Sequence, residues 1–214
     1  MDVGFVRDMV IHHSQAVTLA MIVMRRATVP AVREMADEIA TTQQREAGVM
    51  SGWLQQWGLP TSTAAPAMSW MTHPPATPAA TDPPMPGMAT RRDVARLAVT
   101  RGPAADLLFS RLMLAHHLGG LHMINEVIAR GRQPEVIALA EQMRTAQQRE
   151  INQLNPLLAQ ITSSLSPVGM TGVPRLGGST SAVASTGGSS SPPPKTPGPR
   201  PSTTTHAAEA TAAP

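Results

Sequence analysis

Phe5-Val-Arg-Asp-Met9-Val-Ile-His12-His13-Ser-Gln-Ala16 is the stretch that decides the fold, because the chain writes it twice. Its second copy, Phe109-Ser-Arg-Leu-Met113-Leu-Ala-His116-His117-Leu-Gly-Gly120, follows at an offset of 104 residues. The same offset carries Asp2 onto Asp106, Pro30 onto Pro134, and Gln43-Gln44-Arg45-Glu46 onto Gln147-Gln148-Arg149-Glu150. A duplication held in register over that distance means two copies of one supersecondary unit. Four of the seven histidines stand in the two pairs, so the pairs are where the chemistry is sought.

Each copy reads as a helical hairpin. At ~100° per residue, Phe5, Met9, His12, Ala16 and Ala20 fall on one stripe of a helix over 2–27, with His13, Val17 and Met24 on its flank. The pair therefore lies on the buried side, although its two rings cannot point at one place. Pro30 suits the first turn of a second helix, where a missing N–H costs nothing. That helix runs to about Trp57, with Val32, Met35, Ala36, Ile39, Met50, Trp53 and Leu54 on one face. Gln43 and Glu46 fall on the same face, where a carboxylate is costly unless it is paired or meets a cation. Gly58 and Pro60 end it. After a short helix from Arg91 to Arg101, stopped by Gly102-Pro103, the pattern returns. Residues 104 to about 130 repeat the histidine helix, and a last helix opens at Pro134 with Val136, Leu139, Ala140, Met143, Gln147, Glu150 and Leu154 on its face. Two such hairpins pack as an all-α four-helix bundle.

The organisation expected is a bundle over 1–162, made of a hairpin at 1–58, a crossover linker at 59–90, and a short helix plus hairpin at 91–162. From Ser163 to Pro214 the chain is mostly Ser, Thr, Pro, Gly and Ala, which predicts a disordered tail. A net charge of +3 and no basic stripe interleaved with aromatics argue against nucleic acid as a partner. The lack of Cys removes disulfides, zinc–thiolate sites and thiol chemistry. No run reaches the ~18 apolar residues of a spanning helix, and the N-terminus shows no signal peptide. Nothing in the chain reads as a phosphate loop or a nucleophile elbow, and no residue is assigned as catalytic.

Neutral imidazole is the commonest protein metal ligand, and facing helices of a bundle are where such sites are built. The metal ligands expected are His12, His13, His116 and His117, with the thioethers of Met9 and Met113 one turn before them. The bland alternative is a hydrogen-bonded polar feature of the core. Glu46 and Glu150, with Gln43 and Gln147, are expected to hold the rings or to add ligands. An ion pair with Arg is the competing reading for the two carboxylates. Asp2 and Asp106 read as N-terminal helix caps. Thioether plus imidazole without thiolate suits copper, Cu(I) or Cu(II), better than zinc and iron least, with another divalent metal as the fallback. Of the 14 methionines, Met21, Met24, Met35, Met50 and Met143 read as core packing. Met68, Met71, His73, Met85 and Met88 form an auxiliary candidate site in the linker, and His122 reads as surface.

Asp-x-x-Phe-x-x-x-Met-x-x-His-His-x-x-Ala, a following Gln-x-x-Glu helix, and a second copy after a Met-Pro-Gly-Met linker resemble the bacterial ferritin-like family catalogued as domain of unknown function 305. The resemblance covers residues 2 to about 160. It implies a ferritin-like four-helix bundle in the cell envelope or secreted, copper binding with copper tolerance in some members, and an N-terminus truncated close to the first motif. Met9, His12, His13, Glu46, Met113, His116, His117 and Glu150 match the motif. Gly120, Ile124 and Asn125 replace Ala16, Ala20 and Met21 of the first copy, which puts equal binding by both halves in question. Three functions stay open on the sequence. The first is a non-enzymatic copper buffer or chaperone. The second is a metal-dependent ferritin-like oxidase, disfavoured because each copy offers one suitable Glu and no Glu-x-x-His. The third is a structural or partner-binding bundle, and a homo-oligomer is compatible with any of them.

Overall fold

The computed structural model describes residues 1–72 and 85–165. Among them the chain is all-α: α1 Asp2–Met24, α2 Pro30–Gln56, α3 Arg91–Val99, α4 Pro103–Arg130 and α5 Pro134–Leu165. Three of the long helices open on proline, whose fixed φ and absent N–H fit a first turn. At the end of α2, Gly58 takes φ +66. The amides of Gly58 and Leu59 donate to the carbonyls of Gln55 and Leu54, the two bonds of a Schellman stop. Thr90 and Asp93 form a reciprocal capping box on α3.

α1 packs against α2, α4 against α5, and the two hairpins meet along α1 and α4. The apolar core falls into two clusters. One joins the starts of α1 and α5 to the ends of α2 and α4, through Phe5, Met9, Met50, Leu54, Met123, Val127, Val136 and Met143. The other joins the opposite ends, through Leu19, Val23, Val32, Ile39, Phe109, Met113, Leu154 and Ile161. The pattern follows from the duplication, because a pseudo-two-fold axis across the α1–α4 seam exchanges the clusters. Phe5 and Phe109 are both fully buried, each worth roughly 1.5–3 kcal/mol of burial.

Several expectations need correction. α1 stops at Met24 rather than residue 27, and α5 runs to Leu165, beyond the expected bundle edge at 162. Met21 is 56% exposed, so it is no part of the core. Asp2 and Asp106 do not cap their own helices. Asp106 accepts from the amides of Thr28 and Val29 and from the Thr28 hydroxyl, in the turn of the other hairpin. Asp2 does the same at the second turn, accepting from the amides of Arg132 and Gln133. Burial alone would raise the Asp2 carboxyl, but those two amides, with Asp2's own amide and the N-terminal charge, together outweigh it and hold it below its ordinary value. Each histidine helix thus ties its first turn to the opposite hairpin.

The crossover is also more than an irregular connection, since Met68, Met71 and Met85 are buried in the first cluster. Asp8, which the sequence did not single out, accepts from the Met68 amide at 2.6 Å and from Trp70 Nε1–H at 2.7 Å. Met68 sits at φ +61, an unusual conformation for a side-chain-bearing residue, held by that bond. Gly4 leaves room for Trp70, because a Cβ there would stand 2.5 Å from the indole side chain. His73 and the segment from residue 166 to 214 lie outside the described residues, and so do the disorder expected of the tail and any linker site that needs His73.

Candidate metal centre

Between the two apolar clusters lies a polar layer. His12, His13, His116 and His117 are wholly buried there, and Gln43, Glu46, Gln147 and Glu150 are at most 3% exposed. Helix periodicity explains the division of labour: neighbours in sequence sit ~100° apart around the axis. His12 and His116 face each other across the seam, with ring centroids 3.7 Å apart and planes tilted by 32°. His13 and His117 turn to their own hairpin partners. His13 Nε2 stands 2.8 Å from a Glu46 oxygen, and His117 Nε2 meets Glu150 in the same way.

A carboxylate oxygen accepts, so with Nε2 of His13 and of His117 as the donor in those bonds, Nδ1 is the ring nitrogen left over. His116 Nε2–H donates to the His12 carbonyl at 3.1 Å, which leaves its Nδ1 in the same state. No protein partner meets Nδ1 of His13, His116 or His117, or either nitrogen of His12. The Gln43 amide and the Gln147 amide oxygen are equally unmet. Buried polar atoms are nearly always hydrogen-bonded, and leaving one unmet costs ~1–3 kcal/mol, so eight in one layer is a large departure. Burial, reinforced by His116, His13 and His117, pushes His12 well below the usual imidazole value. His116 is pushed the same way by burial, His117 and His13, against the opposing contact with the His12 backbone. Both are therefore neutral at pH 7, the form that binds metals.

The donor set suits a borderline or soft cation, with imidazole nitrogens oriented by carboxylates and two fully buried thioethers, Met9 and Met113, one helical turn away. The layer is not a preassembled cage. Among the described residues no three His, Cys, Asp or Glu side chains stand in a metal-holding arrangement. The overlap of the His12 and His116 rings explains this, since ring-plane lone pairs on stacked rings run side by side and converge only if a ring turns. Gly120 supplies slack there: a Cβ on it would stand 2.7 Å from Gln147 Oε1 and 3.2 Å from His12 Cε1.

The Arg alternative for the carboxylates is weak. Arg45 Nη2 lies 3.8 Å from Glu46 but is 61% exposed, and Arg149 pairs with Glu38 rather than with Glu150. His122 is exposed, as expected. Met68, Met71 and Met85 are buried beside Met9, Met50, Met123 and Met143 in one cluster, with Met88 packed on its edge.

Comparison with known proteins agrees with the repeat. The model of the family described as domain of unknown function (DUF305) matches residues 2–158. A DUF305 protein of Streptomyces coelicolor, assigned as secreted, is 37% identical with a TM-score of 0.69, over 75% of this chain and 93% of that one. A DUF305 fragment from Deinococcus radiodurans is 30% identical with a TM-score of 0.61, over 74% and 95%. CopM in its Cu(II)-bound form is 25% identical with a TM-score of 0.56, over 74% and 96%. The comparison with curated proteins gives no match. A family model that spans both hairpins and all eight residues of the polar layer shows that this chain belongs to the DUF305 family.

Proposed function

We propose that the chain is a copper-binding protein, a buffer or carrier rather than an enzyme, whose buried layer takes the ion. The observation that carries this reading is the set of unmet imidazole nitrogens: His13, His116 and His117 each keep Nδ1 free while Nε2 is engaged, and His12 keeps both. A purely structural layer would have to meet those nitrogens with buried water, since no protein group reaches them. His12, His13, His116 and His117 would hold the ion, with Met9 and Met113 adding thioethers that favour Cu(I) over Zn(II). Glu46 and Glu150 would fix ring orientation, and Gln43 and Gln147 would flank the rings. A bound ion would accept the electron pairs of the free imidazole nitrogens. CopM, 25% identical, binds Cu(II), which supports the choice of metal. The oxidase reading gains no support, since both carboxylates of the layer are engaged by imidazole. A place outside the cytoplasm accords with the Streptomyces relative's assignment as secreted, and no described helix is long and apolar enough to cross a membrane.

The test is anaerobic titration with Cu(I), and aerobic titration with Cu(II), Zn(II) and Fe(II), on the wild type and two variants. One carries Ala at all four histidines, the other Leu at Met68, Met71, Met85 and Met88 with His73→Ala. Saturable copper uptake lost in the first and kept in the second is the expected result. A folded four-histidine variant that binds copper as the wild type does, while the linker variant does not, moves the site to the linker.

A further inference from the structure

The histidine layer is sealed, with all four rings at 0% exposure, so an ion reaching it must pass through a wall. α2 and α5 close one side, since Gln43, Glu46, Gln147 and Glu150 reach the layer from them. The other side of the α1–α4 seam is closed by the end of the crossover. Ala89 donates its amide to Gln15 Oε1 at 2.6 Å, and Gln15 Nε2–H donates back to the Ala89 carbonyl at 2.9 Å. Pro86 and Gly87 press on α4 at Ala115 and Gly119. A Cβ on Gly119 would stand 2.1 Å from the Pro86 carbonyl oxygen, and one on Gly87 would stand 2.3 Å from that of Ala115. Gln15 and Gly119 each lie three residues past the histidine that faces the seam, which places them ~60° round the helix from it, on the side away from His13 and His117. The segment therefore spans the seam beside His12 and His116.

This wall differs in kind from the others. It has one turn bond of its own, from the Met88 amide to the Met85 carbonyl, its ends Met85 and Ala89 seat in the two apolar clusters, and its side-chain hydrogen bonds come from Gln15 alone. At Gly87 and Gly119 it meets α4 backbone to backbone, so at that contact no side chain interlocks with α4, and Met85 is the side chain that must leave the core for the segment to lift. We propose that Met85–Ala89 is the removable wall of the histidine layer, through which the ion reaches His12 and His116, and that Gln15 is its latch. The proposal rests on the copper reading above. Gln15 and Gly119 contribute nothing to the ligand set, so loosening the wall changes how fast the layer fills and not how tightly it holds.

Two variants loosen it independently. Gln15→Ala removes the latch, and Gly119→Ala drives a methyl against the Pro86 carbonyl. Hydrogen exchange at the Ala89 amide reports the wall without any metal, and stopped-flow transfer of Cu(I) from a coloured chelator reports entry. Both variants should exchange Ala89 faster and fill on the order of tenfold faster than the wild type, to the same stoichiometry and affinity. Faster exchange with unchanged filling overturns the proposal and sends the ion between α2 and α5. Unchanged exchange in Gln15→Ala overturns the latch. A wild type that binds no copper overturns the copper reading and this proposal together, whereas a wild type that binds and variants that fill no faster overturn the wall alone.

Discussion

In the first hairpin, positions 4, 8 and 15 are Gly, Asp and Gln, and the matching places in the second are Leu108, Leu112 and Gly119. Each difference has the same cause. The crossover exists once, so it meets the two copies of a histidine helix position differently or not at all. Gly4 and Asp8 accept Trp70 and the Met68 turn, Gln15 grips Ala89, and Gly119 admits Pro86. The polar layer, which the two hairpins build jointly, keeps the same four residues, two His, a Gln and a Glu, in each copy. Symmetry survives where the halves share a site and fails where one chain segment must cross them.

The largest test of that symmetry removes one histidine pair at a time. His12→Ala with His13→Ala should lower Cu(I) affinity by at least ~100-fold, and His116→Ala with His117→Ala should do the same, read by chelator competition. Two shared halves make the losses equal. A gap above ~10-fold, or ~1.4 kcal/mol, would mean that one hairpin holds the ion by itself. Glu46→Gln and Glu150→Gln should each cost ~10–100-fold with helicity unchanged, because the rings stay but lose their orientation. The exposed Arg45 beside Glu46 is too solvated to separate the two.

Acid titration probes the differences instead. The Asp2 carboxyl is held below 3.8, so it contributes stability that is present above that pH and lost as pH falls through its lower folded value. Asp8 is raised, because burial outweighs its bonds to Met68 and Trp70, and the sign reverses. Its contribution is fully present below 3.8 and lost as pH rises through the raised folded value. Thermal melts should therefore show the cost of Asp2→Asn shrinking toward acid and that of Asp8→Asn growing. The latter should stay near ~1 kcal/mol, since the Asn amide oxygen can still accept from Met68 and Trp70. Parallel slopes for the two variants would break the distinction between a tie joining the hairpins and a crossover anchor.

These anchors mark where sequence reading ended. Period and repeat made the hairpins legible, and a Gln and a Glu on an otherwise apolar face pointed to buried partners for the histidines. Asp2 and Asp106 looked like caps because an Asp at a helix start has that local use. Their true acceptor role is set by a turn about 80 or 130 residues away, which no window contains. Asp8 gave no signal because its donors lie in a proline-rich stretch without periodicity. Met21 has the helical neighbours of a core residue, but its counterpart is Asn125, and the polar residue in the second copy was the hint that this face is open.

The smallest effect is expected where the copies differ inside the layer itself. Gly120→Ala would make the second hairpin match Ala16 of the first. Helix propensity favours the change by ~1 kcal/mol. Against it, the new methyl meets the Gln147 amide oxygen at 2.7 Å and His12 Cε1 at 3.2 Å. The amide is the end of a flexible side chain and can swing away, so the net change in stability should stay within ~1 kcal/mol of zero. The His12 ring is less free, being stacked on His116. If metal binding requires that ring to turn, the methyl should lower Cu(I) affinity on the order of threefold through lost positioning freedom. Ala16→Gly is the control, because it should lose ~1 kcal/mol of stability and leave affinity alone. Calorimetric melts and chelator competition on both variants separate the two effects. An affinity equal to wild type in Gly120→Ala would mean that His12 binds in the orientation it already has, and that Gly120 serves only the packing of Gln147.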